Sequence, residues 1–511
     1  MDTLKSGSKK LTYKNIINAV ILAAYAGIHI FLVLHHEAWR DESQAWVLAY
    51  NSTWIELIKL CSSDGHPVLW FFVLKLLQLL HMPFLYAGLF STALMTIGAA
   101  VLLWKSPFKL ITNICILISP VFFYYNPVIF RTYCIVVPLF MLISVCWPER
   151  RNKPILYGLL VAVLFQTHIL VSGFAIGCVL EMLLSLKKHH KKNHIIGLAL
   201  AFLSGLAMVL ELRQPAGTET YIHVTREYFK ERLQEPLMYR IKCVAMWYEF
   251  KEKPLGMAVL VVFAVLLAAF VILFCVGKGK RRKLFDIGLV SFAGVICYAG
   301  IIILVRDAGH PQMVILLWMP LLFCAWVTVG LGLGAGAKEG TEEAGKKLKA
   351  TRLFEALLVL SCLLAFPRTV LEDAVYDEQK PFSGSREIAQ VIIDTAPENS
   401  VVAIHNDYFS MNIVAYLYDS DKNLRIWDID NAEEYGIHKW GHDNMRAPDS
   451  FPIYDTLCSD LPDETRCYWV YGTSIFQYYH VYYGDIAFVA QNEEPNKWDE
   501  YYQLFEVTMN R

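Results

Sequence analysis

Eleven long apolar runs constrain this chain more than any other feature: 15–34, 84–103, 110–126, 131–147, 155–167, 170–186, 195–212, 255–276, 285–305, 312–333 and 352–367. A helix needs about 20 apolar residues to cross ~30 Å of hydrocarbon, and most of these runs approach that length. Composition agrees, with 56% apolar and 18% charged residues, where soluble domains hold about 45–50% and about 25%. The same figures exclude disorder. A net charge of -1 argues against a basic nucleic-acid-binding surface, and 12 Cys among 511 residues are too dilute for a disulfide scaffold.

Short basic connectors separate the runs: Lys105 and Lys109; Arg150, Arg151 and Lys153; Lys187 to Lys192; Lys278 to Lys283; and Lys338 to Arg352. With Lys5, Lys9, Lys10 and Lys14 they fall on every second connection, and the positive-inside rule assigns them to the cytoplasm. The stretch 67–80 is left over. It has 14 residues with Lys75 in its middle, so it is predicted to lie on the outer surface as a juxtamembrane helix. The pair 155–186 is short for two crossings at ~1.5 Å per residue, which predicts a turn near His168 below the bilayer surface. The first run follows lysines but lacks a small-x-small cleavage site, as an uncleaved first helix does.

The predicted architecture is a mainly α, polytopic membrane protein of about 11 transmembrane helices. Its membrane domain spans 1–367, with outer loops 35–83 and 213–253, and is followed by an extracytoplasmic α/β domain at 368–511. Charge divides at the same place. The tail carries 26 acidic and 10 basic residues, leaving 36 basic and 21 acidic for the front. Alternating apolar residues predict short strands at 401–404, 424–427, 467–470 and 488–490, and helices at 384–394 and 408–418. Cys458 and Cys467 share the outer face, and their spacing leaves a disulfide open. Gly340 to Lys346 mimics a phosphate-binding loop, but Lys347 stands where a Ser or Thr must hold Mg²⁺ and no strand precedes it. The Gly-, Ala-, Lys- and Glu-rich piece 330–351 reads as a flexible cytoplasmic loop.

Five polar clusters fall on the outer side of this topology. The first, His35-His36-Glu37-Ala38-Trp39-Arg40-Asp41-Glu42, stands where the first crossing surfaces, and its adjacent carboxylates suit proton abstraction or metal binding. Asp64-Gly65-His66-Pro67 returns an imidazole to that depth. Arg131-Thr132-Tyr133 places a guanidinium inside the top of a crossing, where a charge is costly and often functional. Thr167-His168 and Arg306-Asp307-Ala308-Gly309-His310 complete the set. Taken singly, each is equally a helix end, a snorkelling cation or a satisfied buried histidine. Their gathering on one face is what a shared cavity requires.

On these residues the chain resembles the GT-C type membrane glycosyltransferases, in particular the dolichyl-phosphate-mannose protein mannosyltransferases and the bacterial aminoarabinose transferases. The layout is similar throughout, and the matching motifs lie within the first 170 residues or so. The family's acidic pair corresponds to Asp41 and Glu42, with Asp41 as the base. Its His-Pro-Pro is similar to His66-Pro67, here followed by Val68, and its Arg-x-Tyr to Arg131-Thr132-Tyr133. The resemblance implies transfer of a sugar from a polyprenyl-phosphate donor to a hydroxyl of a glycan, lipid or protein acceptor on the outer face. Asp41, Glu42 and His66 are then catalytic; Arg131, Tyr133 and Arg306 bind the donor phosphate; His168 and His310 line the cavity. Asp41, Glu42 and His66 are also the candidate ligands of a divalent metal such as Mn, Mg or Zn. The partners implied are the lipid-linked donor and membrane lipids, without nucleic acid. The expected location is a bacterial plasma membrane, with the N-terminus cytoplasmic. The competing classes are a transporter or lipid flippase, and a non-catalytic envelope-assembly protein whose tail does the binding. The loop 213–253, with His223, Arg226, Glu227, Tyr228 and Arg232, is either a lid or a plain amphipathic helix. The aromatics Tyr478, Tyr479, Tyr482 and Tyr483 with His480 are candidates for glycan stacking.

Overall fold

A computed structural model describes residues 2–186, 191–213, 226–236, 282–304, 311–330, 368–381, 383–404, 411–428, 433–436, 467–472, 485–492 and 502–508, with a few positions between 355 and 363. In chain order the helices are α1 (Asp2–His35), α2 (Arg40–Asn51), α3 (Trp54–Asp64), α4 (Leu69–Leu79), α5 (Gly88–Lys105), α6 (Leu110–Leu117), α7 (Tyr133–Cys146), α8 (Pro154–Phe165) and α9 (Ser172–Leu186). They continue as α10 (Lys192–Glu211), α11 (Arg226–Gln234), α12 (Arg282–Leu304), α13 (Pro311–Ile315), α14 (Trp318–Gly330), α15 (Arg368–Gln379), α16 (Ser385–Thr395) and α17 (Met411–Leu417). The strands are β1 (Val401–Ile404), β2 (Arg425–Asp428), β3 (Glu433–Glu434), β4 (Cys467–Gly472), β5 (Asp485–Gln491) and β6 (Tyr502–Thr508).

The described residues fall into two compact units, one within 1–31, 91–213 and 223–371, the other within 32–90 and 372–511. This differs from the expected division, which grouped loop 35–83 with the membrane segment. The loop packs instead against the acidic tail, because α2 and α17 bury their apolar faces on each other.

In the helical unit, the apolar segments Tyr13–His35, Phe84–Lys105, Ile169–Leu186, Lys192–Glu211 and Phe285–Ile302 are long enough to cross a membrane. The chain is an integral membrane protein. The runs 131–147, 155–167 and 312–333 form shorter helices, while 255–276 and most of 352–367 lie outside the described residues. At ~1.5 Å per residue α8 covers about 18 Å, less than the ~30 Å of hydrocarbon. The run 110–126 departs furthest from expectation, since α6 stops at Leu117 and the chain is irregular to Thr132. Pro120 and Pro127 remove amide donors and disfavour helix at the residues before them.

Helices approach closely where glycines face each other. A Cβ at Gly158 of α8 would lie 2.1 Å from the Gly197 carbonyl oxygen of α10, and one at Gly173 of α9 would lie 2.1 Å from Cys297 Cβ of α12. Small residues let backbones meet in this way in hydrocarbon, where packing rather than water exclusion drives association. At one end of these helices Arg150 is 8% exposed. Its Nε and Nη2 donate to Glu181 Oε1 at 3.0 and 2.9 Å, and Nη2 donates to Asp286 Oδ2 at 3.0 Å. The guanidinium lies 3.9 Å over the Trp147 ring, and Arg151 reaches the same Asp286 oxygen at 3.0 Å. The basic connector at Arg150 and Arg151 is therefore a clasp joining the α7–α8 turn to α9 and α12. Within 213–253 the described part is α11, whose Arg232 donates to the Ile302 carbonyl of α12 at 3.2 Å.

The α/β unit holds a six-stranded sheet in the order β3-β2-β1-β4-β6-β5. β1 pairs in parallel with β2 and β4, and the remaining pairings are antiparallel. Every residue of β1 is buried, as a central strand covered on both faces requires. The expected strands and helices of the tail have counterparts in β1, β2, β4, β5, α16 and α17. β6, β3 and α15 are additions. Cys467 begins β4 and is buried, while Cys458 and the aromatics 478–483 lie outside the described residues.

Candidate active site

The α/β unit carries the acidic pair on α2. Trp39 is the N-cap, which puts Asp41 and Glu42 at the second and third helical positions, where exposed amide donors and the helix dipole complement negative charge. The two acids have different tasks. Glu42 is 1% exposed, and its Oε2 accepts from the Trp39 amide at 3.1 Å and from His36 Nε2 at 3.1 Å. Its carboxylate caps the helix, where the resemblance implied a catalytic or metal-binding group. Asp41 keeps 16% of its side chain exposed, with Arg40 Nε 3.8 Å away.

The other ring nitrogen of His36, Nδ1, lies 2.8 Å from Asp377 Oδ2 on α15. Burial by itself lowers the imidazole's pKa, but the facing carboxylates of Asp377 and Glu42 outweigh it and raise the pKa from 6.5 to about 10. His36 is thus an imidazolium at neutral pH. Its proton is held more tightly in the folded chain than in the unfolded one. The stabilisation is complete below about pH 6.5 and fades as pH climbs toward about 10. Thermal unfolding of the purified protein, followed by tryptophan fluorescence, is expected to show a midpoint that falls between pH 7 and 10. His36→Gln protein should lose that dependence, and an identical pH slope in both would rule out the assignment.

Neighbouring contacts immobilise the same loop. Glu37 Oε1 accepts from the Arg386 amide at 2.6 Å and so caps α16. The Tyr416 hydroxyl accepts from the Ala38 amide at 3.0 Å. In return, Asp419 accepts from the Phe84 and Leu85 amides at 2.9 and 3.1 Å. The far end of α2 is tied down too. Lys75 Nζ and Gln78 Nε2 of α4 donate to the carbonyls of Ala49 and Trp46 at 2.9 and 2.8 Å, and Asn51 Nδ2 donates to the Tyr418 hydroxyl at 2.7 Å. Lys75, whose position in 67–80 argued for a surface helix, is thus a cap for the last carbonyls of α2.

His66 follows α3. Gly65 closes that helix in the left-handed region, at φ +82°, where a Cβ would be strained. The turn sets His66 Nδ1 2.7 Å from Asp64 Oδ2. Among the described residues no three His, Cys, Asp or Glu side chains gather as a metal site would need, so Asp41, Glu42 and His66 are not assembled as a ligand triad.

The helical unit brings together two more of the predicted clusters. Thr132 Oγ1 donates to the Thr167 carbonyl at 3.1 Å, and the Tyr133 hydroxyl lies 3.3 Å from His168 Nε2. His168 Nδ1 accepts from the Leu170 amide at 3.1 Å, so Nε2 carries the ring proton and donates to Tyr133. Arg131 starts this braced turn and is 9% exposed. The irregular stretch before it is held from several sides. Tyr25 donates to the Phe122 carbonyl at 2.7 Å, Thr92 to Pro127 at 2.8 Å and Gln312 to Tyr125 at 2.7 Å. Tyr124 is kept at φ +68°, a conformation that costs a bulky residue about 1–3 kcal/mol and persists only when its surroundings over-determine it. Sequence reasoning missed Gln312, two residues beyond the cluster that ends at His310. Arg306 and His310 lie outside the described residues.

The chain resembles, over 96% of its length and 97% of the other chain, the crystal structure of ArnT from Cupriavidus metallidurans bound to undecaprenyl phosphate, with a TM-score of 0.48 and 11% identity. No family model and no curated protein matches the sequence.

Proposed function

We propose that this protein is a membrane glycosyltransferase that moves a sugar from a polyprenyl phosphate to an acceptor hydroxyl on the outer face. The observation that supports this best is the split within the acidic pair. Glu42 is buried and committed to capping, while Asp41, one position earlier, is partly exposed on a helix fixed at both ends. A carboxylate presented on a rigid support is what general-base catalysis requires.

Asp41 takes the proton of the acceptor hydroxyl as its oxygen bonds to the anomeric carbon. The bond from that carbon to the phosphate oxygen breaks, and polyprenyl phosphate leaves with the bonding electrons. Arg131 of the helical unit offers the planar, permanently charged donor set suited to a phosphate. Tyr133 and His168 brace the turn that carries it. The lipid chain of such a donor fits a helical unit immersed in hydrocarbon.

The test uses purified full-length protein in lipid nanodiscs, supplied with lipid-linked sugars extracted from the cells that make it. Wild type is expected to release polyprenyl phosphate. Arg131→Gln protein should need about tenfold more donor for half-maximal rate, the scale of one lost hydrogen bond to a charged group, ~1.5–3 kcal/mol. Binding of undecaprenyl phosphate, the lipid in the ArnT structure, without any sugar release would instead support the transporter or assembly readings.

A further inference from the structure

We infer that His36 is a positioning residue for the transfer reaction: clamped between Glu42 and Asp377, it fixes the first turn of α2 and with it the Asp41 carboxylate. The segment that follows the membrane helices would then take part in the chemistry through the loop that carries the base. This rests on Asp41 being that base.

The geometry favours positioning over simple stabilisation. His36 Nε2 and Nδ1 lie 3.1 and 2.8 Å from carboxylates belonging to two different helices. The side chains of His36, Glu42 and Asp377 are 4%, 0% and 1% exposed. A neutral imidazole has one N–H and can serve only one of the two acids, whereas the imidazolium has two opposed donors and serves both. A rigid ring with two donors fixes the Glu42–Asp377 separation in a way that a flexible lysine does not. Glu42 transmits the constraint, because the same oxygen that meets His36 also holds the Trp39 amide. Asp41 lies between Trp39 and Glu42. The other end of α2 has its own ties to Lys75, Gln78 and Tyr418, so the clamp acts on the turn that bears Asp41. A misplacement of about 1 Å costs a reaction up to ~100-fold in rate.

The experiment compares wild type, His36→Gln, Asp377→Asn and the double variant, as full-length protein in nanodiscs with the same lipid-linked sugar extract. Folded sites are counted by the stoichiometry of undecaprenyl phosphate binding, and hydrogen exchange is followed at amides 40–44. Each single variant should lose about tenfold or more in turnover per site, with the half-saturating donor concentration within about twofold of wild type and faster exchange at those amides. The double variant should be no slower than the slower single one, because both changes release one clamp. Full turnover per site in either single variant, losses that multiply in the double variant, or a change in half-saturation alone would each overturn the inference. If the charge variants fail to accumulate, Tyr416→Phe removes the acceptor for the Ala38 amide and leaves the charges in place. It should lower turnover several-fold at unchanged half-saturation, and unchanged turnover would likewise overturn the inference. An active Asp41→Asn protein, or wild type that releases nothing, removes the underlying reading and the inference with it. Those two results are read with the clamp intact, so they are distinct from a failure of the clamp.

Discussion

Asp41→Asn protein is expected to fold, to bind undecaprenyl phosphate and to release sugar at least about 100-fold more slowly than wild type, the usual scale for loss of a general base. Asparagine keeps the size and shape of the side chain but has no basic oxygen able to take a proton. Asp41 is partly exposed, with Arg40 Nε 3.8 Å away, so the thermal midpoint should move little. Glu42→Gln should behave in the opposite sense. It leaves the His36 cation facing one carboxylate instead of two in a site closed to water, and removing one member of a buried ion pair costs about 3–5 kcal/mol. Its signature is a lowered midpoint, with turnover per folded site falling only by the roughly tenfold expected of a released clamp. Measuring both variants side by side separates the acids by role. Equal losses of turnover without loss of stability would show that they act as a catalytic pair after all.

Arg150→Ala should be among the most damaging changes in the helical unit. It removes the guanidinium paired with the buried Glu181 and Asp286 and leaves Arg151, itself 36% exposed, against them. The expected cost is again about 3–5 kcal/mol, from uncompensated buried charge. Replacing Arg150, Glu181 and Asp286 together by leucine removes the charges as well as their pairing, and such replacements of buried ion clusters are often neutral or stabilising. Size-exclusion profiles of detergent-solubilised protein across a temperature ramp would register both effects. If the single and triple variants melt together, the cluster contributes packing rather than charge compensation.

Hydropathy made the membrane helices legible because a crossing leaves a long, continuous mark in sequence. It misled at 110–126, since apolar residues report burial and not helicity. From Ser119 to Pro127 the backbone is irregular and largely buried, and the Phe122, Pro127 and Tyr125 carbonyls are served by Tyr25, Thr92 and Gln312. Period-two alternation located β1, β2, β4 and β5 for a similar reason, whereas β6, with Glu506 amid apolar residues, carried a weaker signal. The site was legible by residue type and not by partner. Trp39-x-x-Glu42 has the spacing of a capping box, which could have marked Glu42 as a cap, although a tryptophan N-cap hides the pattern. Nothing local could have joined His36 to Asp377. They are 341 residues apart, and only the packing of the α/β unit reveals that they meet.

That separation also sets a timetable for biosynthesis. At about 5–20 residues per second, roughly 20 to 70 s pass between synthesis of His36 and of Asp377, and the nascent chain meanwhile threads its helices into the bilayer. Throughout that interval the loop bearing Asp41 lacks Asp377, Tyr416 and the amides of α16 that later hold it. A protein assembled in this order completes the surroundings of Asp41 only as its last quarter is translated, so a ribosome that stalls early leaves behind inserted helices with an unbraced loop.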